Sequence, residues 1–247
     1  MTNLNNRNAY EGAKCENLIK DSFKKHLDII EKIRKTYNIK GEFEETEACG
    51  SQGKKADVKI RFSCGNNIDV SVKSYRKKGV NQLTRISVSN FCEYFKLGEN
   101  DRKDLEEIVV RKAKNSHTPL FRKEDETKWE KFFRRNAEKI LKLGFSDDAS
   151  KEILALFSRE ESMVRLYSME DVLNELPKTI KFTRRGINVG NCISFQRKGG
   201  NGVKEEKPKT DIEHPGNNLQ LKIKIDKFIE EMKNVLLIQY SISDDIK

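Results

Sequence analysis

Apolar residues recur at helical spacing near the start of the chain, at Cys15, Leu18, Ile19, Phe23, Leu27, Ile30 and Ile33. This pattern predicts one amphipathic helix over about residues 11 to 35, with Glu16 on it. From about residue 42 the period changes to two. Val58, Ile60 and Phe62 alternate with Asp57, Lys59 and Arg61, then Ile68, Val70 and Val72 alternate with Asp69, Ser71 and Lys73. Gly65 to Asn67 lie between the runs and tolerate positive φ, which makes the pair a β-hairpin. A turn centred there pairs residues whose numbers sum to about 130 to 133 and sets Asp57 across from positions 73 to 76, beside Lys73.

Strand character extends through "NQLTRISVSNFCEYF" to about residue 90. From Asp101 to Leu176 the text reads as helices: "DLEEIVVRKA", "ETKWEKFFRRNAEKILKL", "SDDASKEILALF" with Ser146 as N-cap, and "SMEDVLNEL". After Pro177 come strands and Gly-rich turns ("TIKFTR", "GNCISFQRKGGNG", "NLQLKIKID"), then a last helix from about Asp226. Helix, strands, helices and strands in that order predict an α+β fold.

The 247 residues suffice for a core without disulfides or metals. Five scattered cysteines, odd in number and never spaced C-x-x-C, argue against a disulfide framework and a structural zinc. No signal-like or membrane-length apolar run is present, so a cytoplasmic protein is expected. The net charge of +10 is segregated. Residues 54 to 85 hold nine Lys/Arg against Asp57 and Asp69, and residues 178 to 225 hold eleven against Glu205, Glu206, Asp211 and Glu213. Two basic clusters on a chain otherwise mildly acidic point to a polyanion, because Lys and Arg beside phosphates release condensed counterions. A solvated lysine-rich surface explains the total better than the segregation.

An acid on one strand, with a small polar residue and a lysine two apart on its neighbour, suits metal-dependent phosphodiester hydrolysis. The carboxylate holds a hard cation, which polarises phosphate and lowers the pKa of a water, and the lysine orients that water or neutralises developing charge. The plainer reading is a wet strand face. "GSQGKKA" from Gly50 has the wrong glycine spacing for a P-loop, and neither H-E-x-x-H nor G-x-S-x-G occurs. Only His26, His117 and His214 exist, so histidine-based nucleases are poorly supported.

"YEGAKCENLIKDSF", "ADV…VSVKS", "RKKGVNQL" and "RRGINVGNCISFQRKGG", taken in order, resemble the MspI-type (HinP-like) type II restriction endonucleases of the PD-(D/E)XK nuclease superfamily. The likeness runs from about Ala9 to Asp226, weakest through the helical middle. It implies a restriction-endonuclease-like core with a mixed sheet flanked by helices over residues 1 to 100, a helical segment over 101 to 177 and a strand-rich DNA-reading half over 178 to 247, or one continuous domain. It also implies a Mg²⁺-dependent enzyme, monomeric or weakly dimeric, that cuts double-stranded DNA at a short GC-rich palindrome and is paired with a cognate DNA methyltransferase.

Residue by residue, Asp57 matches the metal-binding aspartate and Lys73 the catalytic lysine. Ser71 stands at the second acid's position, where its hydroxyl orients a water rather than holding the cation. Ala56 replaces a hydroxyl residue common before the aspartate. Glu16 matches a helix glutamate that faces the active site and adds a metal ligand; the other reading is an ordinary solvated residue. Asp69 is a secondary candidate that reaches the metal through water. Asn81 and Gln82 match the amide pair after the lysine, and amides read base edges through a donor and an acceptor at once. Arg184, Arg185, Asn188, Gln196, Arg197 and Lys198 complete the DNA-binding set, with Gly199 to Gly202 as a turn that lets backbone amides approach phosphate. A non-catalytic DNA-binding protein, or a nicking or mismatch nuclease, on the same fold is the alternative.

Overall fold

The computed structural model describes residues 4–49, 56–76, 79–146, 148–200 and 207–242, with side chains from residue 10 onward. In chain order the elements are α1 (Leu4–Lys25), α2 (Leu27–Thr36), β1 (Phe43–Ala48), β2 (Val58–Phe62), β3 (Asn67–Tyr75), β4 (Val80–Ile86), α3 (Val88–Phe95), α4 (Glu99–Lys114), α5 (Lys123–Arg135) and α6 (Ala137–Gly144). They continue with β5 (Glu152–Ser158), β6 (Met163–Ser168), α7 (Met169–Glu175), β7 (Ile180–Thr183), β8 (Gly186–Val189), β9 (Ile193–Arg197), β10 (Leu219–Lys224), α8 (Ile225–Glu231) and β11 (Leu236–Ser241). The α+β class holds: one sheet is mixed and both sheets belong to units that also carry helices.

The chain divides into two compact units that interleave along the sequence. The first comprises 1–79, 146–175 and 232–247, and the second 80–145 and 176–231. Borders near residues 79, 145, 175 and 231 differ from those read at 100 and 177, and the segment 101–177 is shared between the units.

The first unit holds a six-stranded sheet in the order β1-β2-β3-β5-β6-β11. β3 and β5 run parallel and every other pair is antiparallel. Cys15, Ile19 and Phe23 of α1 and Ile29, Ile30 and Ile33 of α2 bury against Val58, Ile60, Ile68, Val70 and Val72. The single long helix expected over 11 to 35 is two helices. His26 leaves the helical region (φ −109, ψ 70) and Leu27 is 57% exposed, off the apolar stripe. Ser22 Oγ donates to the Ile19 carbonyl at 2.7 Å just before the break, a back-bond that bends helices.

"SDDASKEILALF", expected as a helix, is a short 3₁₀ turn followed by β5, buried at every position. A central strand flanked on both faces reads as an unbroken apolar run, and periodicity alone does not separate it from a buried helix. Ser146 caps a turn, not a helix, accepting from Asp148 N–H at 3.2 Å. β11 is a strand beyond the last helix that was not anticipated.

The second unit holds a five-stranded sheet in the order β4-β10-β9-β8-β7, antiparallel throughout. The stretch read as strand-rich to about residue 90 turns into α3 after Ile86, where Ser87 Oγ accepts from Asn90 N–H at 3.1 Å as an N-cap. An aromatic core of Phe91, Phe121, Trp129, Phe133 and Phe195 fills this unit. Among the described residues no helix is long and apolar enough to cross a membrane.

Candidate active site and basic sheet face

The hairpin pairs Val58 with Val70, Lys59 with Asp69 and Ile60 with Ile68, so partner numbers sum to 128. This is tighter than the expected 130 to 133 because the turn spans Ser63 to Asn66, closed by a Phe62 N–H to Asn66 carbonyl bond of 3.1 Å. Continuing the register sets Ser71, not positions 73 to 76, across from Asp57. Lys73 lies diagonally, its Nζ 3.8 Å from Asp57 Oδ2. The Val72 N–H also donates to Oδ2 at 2.6 Å. Both interactions fall on one oxygen, and no hydrogen bond or ion pair with Oδ1 occurs among the described residues, so that oxygen is the one that would face a cation.

Burial pushes the Asp57 carboxyl above its ordinary range, outweighing the opposing pull of Lys73 and the Val72 N–H. Glu16, on α1, is near enough for the charges of Asp57 and Lys73 to act on it. Its carboxyl is also raised, first by burial and then by the Asp57 charge, with Lys73 pulling the other way. Gly12, one turn earlier, has its would-be Cβ 3.9 Å from Glu16 Oε1, so the carboxylate lies along a side of the helix where little crowds it. Two carboxylates that repel each other across a buried spot, with oxygen the only donor element, fit a hard cation such as Mg²⁺. Among the described residues no group of three or more His, Cys, Asp or Glu converges on such a spot. Ser71 is buried.

Asp69 shares the strand face but not the site. It pairs with Lys59 at 3.5 Å and lines a separate cavity of about 550 Å³ with Asp148 and Glu152. At the other end of β3, Glu11 Oε2 takes Arg76 Nη2 at 3.4 Å and Arg159 Nη1 at 3.2 Å. This tie between α1 and the ends of β3 and β5 was missed because Glu11 and Arg159 are 148 positions apart.

In the second unit, alternation sorts the predicted DNA contacts. Asn188 pairs with Ser194, Ser194 with Lys222 and Lys222 with Gln82, while Gln196 pairs with Gly186 and Gln220, and Gln220 with Arg85. These residues share one polar face. The buried residues Ile187, Phe195, Leu221 and Ile223 share the other. Two expected contacts do not join this face. Asn81 pairs with Ile223 on the apolar side, opposite to its neighbour Gln82. Arg197 follows Phe195 in parity and its Nε donates to the buried Asn217 Oδ1 at 2.7 Å. Asn217 also donates to the Lys209 and Asp211 carbonyls, so Arg197 braces the loop before β10.

Arg184 and Arg185 form the exposed two-residue turn between β7 and β8. With Asn188, Gln196, Lys222 and Lys224 they line a cavity of about 370 Å³. Lys222 and Lys224 were missed, although the alternation in "NLQLKIKID" already sets them opposite Leu221 and Ile223. All of "GSQGKKA" except Ala56, and the second half of "GGNG", beyond Gly200, lie outside the described residues.

No family model matches the chain, and no curated protein matches it in sequence. A solved structure of restriction endonuclease MspI in complex with its cognate DNA is similar over 84% of this chain and 82% of that one, at 13% identity and a TM-score of 0.48.

Proposed function

We propose that the protein is a Mg²⁺-dependent endonuclease that hydrolyses phosphodiester bonds at a short, GC-rich site in double-stranded DNA. The observation that carries this reading is the approach of Lys73 on β3 to Asp57 just before β2, Nζ to Oδ2 at 3.8 Å, with Glu16 of α1 near enough for both charges to act on it. Asp57 and Glu16 would hold Mg²⁺, which when bound supplies Lewis-acid polarisation of the phosphate and a lowered pKa for water. Lys73 orients the attacking water and offsets charge that grows on the phosphate. The Val72 N–H fixes the Asp57 carboxylate, so its free oxygen needs little reorganisation. Gln82, Arg184, Arg185, Asn188, Gln196 and Lys198, joined by Lys222, supply DNA contacts, and pairing with a methyltransferase follows from this reading.

Ser71 at the second acid's position, which leaves two carboxylates, favours one other reading: a duplex-binding protein that does not cut. Incubating plasmid with the protein and Mg²⁺, or with EDTA, separates them. Discrete fragments that need Mg²⁺ are expected. A mobility shift with no cleavage at any Mg²⁺ concentration contradicts the nuclease.

A further inference from the structure

The polar face of the five-stranded sheet carries Asn188, Ser194, Gln196, Lys222, Gln82 and Arg85 by register. It has no acid and no aromatic ring. Single-strand platforms stack bases on aromatics, so a face of amides and cations suits a duplex. Five strands at about 4.8 Å spacing span roughly 19 Å, wider than the ~12 Å major groove, which admits at most a two-stranded ribbon. β7 and β8 form such a ribbon at the sheet edge, tipped by Arg184 and Arg185.

The two arginines differ. The Arg184 carbonyl accepts from Leu120 N–H at 3.1 Å, which ties it to the connection before α5, and its charge acts on the buried Lys112. The charge of Arg185 acts on Lys112 and also on Lys222 of β10, on the polar face. Lys222 is further crowded by Arg85, which also acts on Lys198. Lys224 is engaged by Asn188 Oδ1 and the Asn191 carbonyl, each at 3.2 Å. The side chains of Arg185, Lys198 and Lys222 make no hydrogen bond or ion pair among the described residues, so three crowded cations await an anion.

We propose that the β7–β8 hairpin is the base-reading element, with Arg185 as its specificity residue, and that Lys222 and Lys198 hold phosphates of the same duplex. This rests on the duplex-DNA reading above but not on hydrolysis. Guanidinium forks match guanine O6 and N7, whereas ammonium groups meet phosphate as point charges.

The test selects from a pool of random-sequence duplexes in EDTA, so that cleavage plays no part, and sequences the bound fraction. Wild type should enrich one short motif. Arg185→Ala and Arg185→Lys should enrich that motif with one base pair degenerate and bind the wild-type motif about 5- to 150-fold more weakly. Arg185→Lys keeps the charge and so should keep the salt slope. Lys222→Ala should keep the full motif, weaken motif and scrambled duplex equally, and flatten log K against log salt by about one. An unchanged motif in both Arg185 variants, an unchanged slope in Lys222→Ala, or no enrichment by wild type overturns the proposal. Selection of a motif by a protein that never cuts would sink hydrolysis and leave this assignment standing; cutting with an unchanged motif in the Arg185 variants does the reverse.

Discussion

Asp57 is costly where it stands. Its folded pKa lies above the unfolded value because burial outweighs Lys73 and the Val72 N–H, so the native state binds the proton more tightly than the unfolded chain does. The ionised carboxylate therefore destabilises the fold above that pKa, and the cost disappears as pH falls through it. Asp57→Asn, uncharged and nearly the same shape, should melt at higher temperature than wild type at pH 7, and the gap should close on acidification. Thermal scans across pH check this, and a variant that melts lower at pH 7 contradicts it. Asp57 and Glu16 must ionise to hold a cation, so protons and Mg²⁺ compete: at low Mg²⁺ the acidic limb of the cleavage rate should lie above the ordinary carboxylate range, and it should move to lower pH as Mg²⁺ rises, read from rates over a pH and Mg²⁺ grid. Ser71 contributes a hydroxyl and no charge. Ser71→Ala should slow single-turnover cleavage about 10- to 100-fold, as for a group acting through a neighbour.

Strand alternation made Asp57 and Lys73 legible, since both lie on the polar side of a hairpin whose apolar side is unmistakable. It also explains the errors. Adjacent strand residues point to opposite faces, so Asn81 and Gln82 do not share one, and Arg197 at the end of β9 is turned to Asn217. β5 was the segment least legible by pattern. Its apolar run is long because both faces are covered, and its parallel partner β3 lies 83 positions earlier at Asp69 and Glu152. That strand supports the one bearing Ser71 and Lys73, paired to Leu154 and Leu156. Leu156→Ala removes a side chain with no exposure and should cost about 2–5 kcal/mol, read from urea unfolding. A loss below about 1 kcal/mol would mean that β5 is not the packed centre of this sheet.

Each compact unit is assembled from separated stretches of chain, which no local pattern could reveal: the first closes its sheet with β11, from the far end of the sequence. Charge was legible in amount and region, because the basic stretch 178–225 supplies six of the seven residues now proposed to meet DNA, Gln82 being the seventh. The four-helix reading of the middle and the three-part division were not, since contacts far apart in sequence decide both. The claim most exposed to disproof is that Asp57 and Lys73 act in chemistry, not in holding the fold or the DNA. Single-turnover cleavage of plasmid at saturating Mg²⁺, measured beside duplex affinity in EDTA for wild type, Asp57→Ala and Lys73→Ala, tests it directly. The account predicts that both variants lose cleavage and keep wild-type affinity within a few-fold; either variant cutting at close to the wild-type rate contradicts it.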